Sequence, residues 1–121
     1  MELVDFLRAR LDEDERQARA AMTFQAAEWR VETSGIITTS ADTDVYTDDR
    51  ELAEHIARHD PARVLAEVEA KRDAIVLHGG DLRMQLMFCS HCEQDTPCPT
   101  LRLLARPFRD HPDFDPAWME D

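Results

Sequence analysis

The chain has no asparagine, one lysine (Lys71), one tyrosine and three glycines among its 121 residues. With so little glycine it has no Gly-rich loop to cradle a phosphate, and neither a G-x-S-x-G nor an H-E-x-x-H motif occurs. An ordinary hydrolase or nucleotide-binding enzyme is therefore not expected. No apolar run approaches the roughly 18–20 residues that span a bilayer. The acidic start Met1-Glu2-Leu3-Val4-Asp5 does not read as a secretory leader, so a cytoplasmic protein without membrane attachment is expected. Positive charge is also scarce. The 14 Lys and Arg stand against 26 Asp and Glu, and 14 − 26 gives −12. A surface this acidic repels phosphates, which tells against direct nucleic-acid binding. Solubility accounts for the charge. Mimicry of DNA is the sharper alternative, but it wants a single-sign array, and arginines interrupt most of the acidic runs here. Three cysteines, an odd number, argue against a disulfide framework.

What is present suits one small domain over residues 1–121, with 43% hydrophobic residues to form a modest core. The expected class is α+β and mostly helical: a long N-terminal helix, a central β-hairpin, a second long helix and a small C-terminal metal-stabilised module. Apolar residues at three- and four-residue spacing predict a helix over 2–28, with Leu3, Phe6, Leu7 and Leu11 inward and Arg10 among them. Asp12–Arg16 and Glu15–Arg19 have the spacing of helical ion pairs. Alternation at Trp29, Val31 and Thr33, then Ser34-Gly35 and Ile36–Thr39, predicts a hairpin, with Val45-Tyr46 as a possible third strand. Asp42, Asp44, Asp48 and Asp49 lack the Gly and Glu of a calcium loop and read as loop and cap residues. Asp48 with Glu51 has capping-box spacing and predicts a helix to about His59, with Leu52, Ala53 and Ile56 inward. Asp60-Pro61 predicts the next helix, from Pro61 to about His78. Its stripe of Val64, Leu65, Val68, Ile75 and Val76 brings His78 inward before the Gly79-Gly80 stop. Residues 81–88 alternate like a strand. Pro99 opens a short helix to Ala105 with Leu101 and Leu104 buried. The tail 107–121 is irregular and pinned by Phe114 and Trp118, with His111 a plain loop residue.

All three cysteines fall within ten residues, in the spacing Cys89-x2-Cys92-x5-Cys98. A two-residue gap lets two sulfurs turn toward one ion about 2.3 Å away, and Cys98 precedes a helix start that favours thiolate. Three sulfurs leave one position of a tetrahedron. His78, at the end of the long helix, is the expected fourth ligand, so the predicted metal ligands are His78, Cys89, Cys92 and Cys98 in a module of about residues 78–105. His91, inside the knuckle, and the pair His55/His59 are the alternatives for the fourth place. The donor set suits zinc first and an iron–sulfur cluster second. A closed set of four is structural, leaving no place for substrate water. An open three-thiolate site with Glu93 or Asp95 as base is the remaining enzyme reading. Arg102, Arg106 and Arg109 form a local basic patch that reads as solvated surface.

Several stretches resemble a family of small proteins of unknown function from actinobacteria such as streptomycetes, and from their phages and prophages. They are the Leu-Arg-Ala-Arg-Leu-Asp-Glu-Asp-Glu start, the block His55–Leu65, the helix end Val76-Leu77-His78, and Cys98-Pro99-Thr100-Leu101-Arg102. The resemblance covers residues 2–17 and about 51–118. It implies a His ending the long helix, a Cys-x2-Cys and a Cys-Pro-Thr-Leu-Arg, matching His78, Cys89, Cys92 and Cys98, and it brings no known activity. A protein partner in a phage or host setting would fit it. The C-x2-C-x5-C spacing also resembles the last three cluster ligands of the WhiB-like iron–sulfur regulators. This chain departs from them in having no fourth Cys upstream, no Gly-Val-Trp-Gly-Gly turn and no basic tail, which tells against DNA-binding regulation of that kind.

Overall fold

A computed structural model describes residues 1–22, 26–33, 35–42, 44–80, 88–89, 91–95 and 97–120. The architecture is α+β and mostly helical. In chain order it runs α1 (Leu3–Ala20), β1 (Trp29–Thr33), β2 (Ile36–Thr39), β3 (Asp44–Tyr46), α2 (Arg50–Arg58), α3 (Pro61–Ile75), a π turn (Val76–Gly80), β4 (Phe88–Cys89), β5 (Gln94–Asp95) and α4 (Pro99–Ala105). Two 3-10 turns follow, at Arg106–Phe108 and Pro116–Met119. The chain forms two compact units, Met1–Asp12 with Glu69–Asp121, and Glu13–Val68.

In the unit Glu13–Val68, β1, β2 and β3 form an antiparallel sheet in sequence order. The third strand is present, and a bulge lies between Val31 and Thr33. Gly35 turns the chain at φ 80, and a Cβ there would run into the carbonyl oxygen of Thr47. α2 packs on β1 and β2, so Ile37 and Ala53 are fully buried. Asp60 joins two elements: Oδ1 accepts from Arg63 N at 2.9 Å, capping α3, and Oδ2 accepts from Trp29 N at 3.1 Å, fixing the start of β1.

Three expectations about the helices need correction. α1 ends at Ala20, not at 28. The backbone at 27–28 is used elsewhere: Ala27 O accepts from Ala62 N at 2.9 Å, and Glu28 O accepts from Ser40 N at 2.8 Å. α2 is capped by Asp49, not Asp48; the Asp49 carboxylate accepts from Leu52 N at 3.1 Å. Ala53 is the helix residue buried against the sheet, while Leu52, expected inward, is 49% exposed. α3 ends at Ile75, and the wide turn that follows leaves Val76 exposed while His78 stays buried.

The unit of Met1–Asp12 and Glu69–Asp121 is organised around Phe6, which is fully buried. Its ring meets Phe108, His111 and Phe114 edge-on at 6.3, 5.6 and 5.8 Å, and Trp118 at 5.0 Å. Phe114 and Trp118 thus pin the tail as expected, while His111 is more than a loop residue. The Arg10 guanidinium lies 5.0 Å from the Phe6 ring centre, and its Nη1 is 2.9 Å from His111 Nδ1. An arginine on an apolar stripe needs such partners. Asp12 accepts from Arg72 Nη2 at 2.7 Å, while Glu15 and Arg19 stand 4.0 Å apart as their spacing predicts. Most of the expected strand 81–88 lies outside the described residues; its last position, Phe88, opens β4. In α4, Leu101 and Ala105 are the buried pair and Leu104 is half-buried.

Candidate metal centre

His78 reaches the centre because α3 does not stop cleanly. The last turn widens, His78 takes φ −97 and ψ 25, and Gly79 adopts the left-handed φ of 87 that glycine accommodates without penalty. β4 and β5 form a hairpin of two residues each, pairing Phe88 with Asp95 and Cys89 with Gln94. The turn between them carries Cys92, whose backbone N–H donates to Cys89 Sγ at 3.4 Å. Glu93 holds φ 55 in this turn, a conformation uncommon for a side chain of its kind. Cys98 precedes α4 in extended geometry, with Pro99 at the first helical position.

These elements converge. His78 Nδ1 lies 3.5 Å from Cys89 Sγ, 3.3 Å from Cys92 Sγ and 3.4 Å from Cys98 Sγ. All four donor atoms lie within 4.8 Å of one another. Cys89, Cys98 and His78 are buried, and Cys92 is half-buried. One imidazole nitrogen makes one directed hydrogen bond in the plane of its ring. Three sulfurs nearly equidistant from it are better explained by a common neighbour at their centre. For zinc at 2.3 Å from sulfur and 2.0–2.1 Å from nitrogen, a tetrahedron has N···S edges of about 3.5 Å. The donor set fits a metal ion in both chemistry and spacing.

The electrostatics favour ligation at His78 and Cys89, whereas at Cys98 burial outweighs the thiolate preference expected from the helix start. Burial lowers the His78 pKa, helped by nearby His91, and so keeps the imidazole neutral as a ligand must be. Burial pushes the Cys89 thiol up, but hydrogen bonds from the Cys92 and His91 backbone and from the neighbouring cysteines outweigh it, and the net shift is downward. Burial dominates at Cys98 and raises it. A cation at the centre favours thiolate on all three.

All four predicted ligands therefore meet at one point. His91 is exposed and stands outside the donor set, with its ring edge-on to His78 at 4.9 Å. His55 and His59 lie on α2 and at its end, within the unit Glu13–Val68. Thr100 was not singled out from the sequence. Its hydroxyl is 3.5 Å from Cys92 Sγ and can donate to a thiolate there. The available signal was its place in the Cys98-Pro99-Thr100-Leu101-Arg102 stretch that carries the family resemblance. In the basic patch, Arg102 Nη1 donates to the carbonyl of Glu120, so this arginine ties α4 to the tail.

A small α+β chain with three thiols and an imidazole around one point defines a candidate Cys3His metal protein. The chain belongs to the family of unknown function DUF6221, which matches residues 1–120. No curated protein and no solved structure matches it. Among the described residues, no helix is long and apolar enough to cross a membrane.

Proposed function

We propose that His78, Cys89, Cys92 and Cys98 hold one zinc ion that staples the C-terminal module, and that the protein works by presenting the stapled surface to a protein partner rather than by catalysis. The observation that carries this reading is the near-equal approach of His78 Nδ1 to the three sulfurs, at 3.3–3.5 Å. The spacing favours one ion over a cluster. A cluster sets several irons and bridging sulfides between its ligands, and these would hold at least some of the sulfurs away from the imidazole. Four protein donors also close the coordination sphere, which suits a structural site. Need points the same way. Among the described side chains from Cys89 to Cys98, only the two terminal cysteines are buried. A hairpin of this size has no core of its own, and a structural zinc supplies folding free energy directly. The free thiols suit a reducing, cytoplasmic setting. A phage or host setting is what the family resemblance suggests for the partner.

Elemental analysis of the purified protein tests the site. About one zinc per chain is expected, with loss in both His78→Ala and Cys98→Ala. Cobalt substitution should give the visible bands of a tetrahedral thiolate site. A brown protein carrying iron and sulfide would replace zinc with a cluster, and full metal content in His78→Ala would remove the histidine from the ligand set.

A further inference from the structure

The geometry points to a second, open metal site on α2: we infer that His55 and His59 chelate a divalent transition ion of square-planar or octahedral preference, such as nickel or copper. This site is separate from the Cys3His centre and does not depend on it.

Three observations carry the inference. The first is a fixed tautomer. His59 Nδ1 lies 2.9 Å from the carbonyl oxygen of His55. A carbonyl only accepts, so Nδ1 carries the proton and Nε2 carries the lone pair. Metal-binding histidines are oriented in this way, with one ring nitrogen donating to a carbonyl and the other free to ligate. The hydrogen bond thus prepares Nε2 as a ligand before any ion arrives. No other hydrogen bond engages either ring among the described residues.

The second is the spacing of the rings. An ion about 2.0–2.1 Å from each nitrogen stands roughly 3.2 Å from each ring centre, and a right angle at the ion then sets the centres roughly 4.5 Å apart. The observed separation is 4.5 Å, with the rings tilted 43°. That separation lets one ion bridge the pair, and imidazole ligands suit nickel and copper, which stand above most divalent ions in affinity.

The third is the setting. His59 is the C-cap of α2, where the carbonyl ends of the helix favour a cation, and the chain carries a net charge of −12. Both histidines are exposed, so an ion can enter without rearrangement and keeps positions for water or a further ligand. His59 also lines a cleft of about 240 Å³ walled by Ala18, Trp29 and Val64, so a ligand on the ion would have an apolar recess beside it.

The test is calorimetric titration of Ni²⁺ into the full chain as purified, with near-ultraviolet absorption followed on the same samples. Nickel on imidazoles lacks the sulfur-to-metal charge-transfer band that nickel on thiolates shows. The expected result is one binding event per chain without that band. His55→Gln and His59→Gln should each weaken it at least tenfold, because either change leaves a single imidazole, while His91→Gln leaves it unchanged. The inference is overturned if wild type takes up no nickel, if all bound nickel carries the thiolate band, or if either single variant loses less than tenfold. Because both substituted side chains are exposed, neither change threatens the fold.

Discussion

Between Trp29 and Arg58 the chain buries Ile37, Thr39 and Ala53 in a three-stranded sheet with a helix packed on it. Between Phe88 and Cys98 it pairs two strands of two residues, and among the described side chains it buries only Cys89 and Cys98. The first region is held by removing apolar surface from water. In the second, the buried groups among the described side chains are polarisable sulfurs aimed at an imidazole. On the proposed reading, an ion that joins the donors stabilises this region. One short chain thus contains a region that should fold on its own packing and another that should depend on an ion.

The largest effect should come from metal removal. A structural zinc in a small module contributes an apparent ~10 kcal/mol or more of binding free energy. Chelation should therefore abolish amide protection across 88–105 and leave that of 29–58 in place, as read by hydrogen exchange. Equal loss in both regions, or in neither, would break the comparison.

Core substitutions sharpen it. Phe6 is fully buried and meets four rings besides the Arg10 guanidinium. Phe6→Ala should destabilise by about 3–5 kcal/mol in chemical denaturation, because packing in the same unit as the metal centre is not replaced by the ion. Ile37→Ala should cost about 2–5 kcal/mol and act on the protection of 29–58 rather than on metal content.

The clustering of three cysteines and a histidine was legible in the sequence because metal chemistry constrains residue type and spacing together. Cys89, Cys92 and Cys98 are close in sequence, and His78 follows from counting the helical period along α3 to the Gly79-Gly80 stop. The hairpin was legible from alternation, and α3 from Asp60-Pro61. What could not be read were choices made by long-range partners. α1 ends at Ala20, and the carbonyls at 27 and 28 serve Ala62 and Ser40, partners far along the chain. Arg10 was counted on the inward stripe, but its partners there, the Phe6 ring and His111, 101 residues away, come from the fold. Thr100 matters only through its approach to a sulfur eight positions earlier, which no local pattern announces.

The smallest expected effect tests the place where the capping-box spacing pointed to one aspartate and the structure uses its neighbour. Asp48 and Asp49 both precede α2, and Asp48 has the capping-box spacing to Glu51. The structure gives the cap to Asp49, whose carboxylate accepts from Leu52 N at 3.1 Å and whose carbonyl accepts from the Thr47 hydroxyl at 2.9 Å. Asp49→Ala should therefore cost about 1 kcal/mol, within the usual range of about 0.5–2 for losing an N-cap, while Asp48→Ala stays within about 0.5 kcal/mol. The difference follows from the hydrogen bond, which only the Asp49 carboxylate makes to the first turn of α2. Equal costs for the two aspartates in thermal melts would mean that the cap is shared between them.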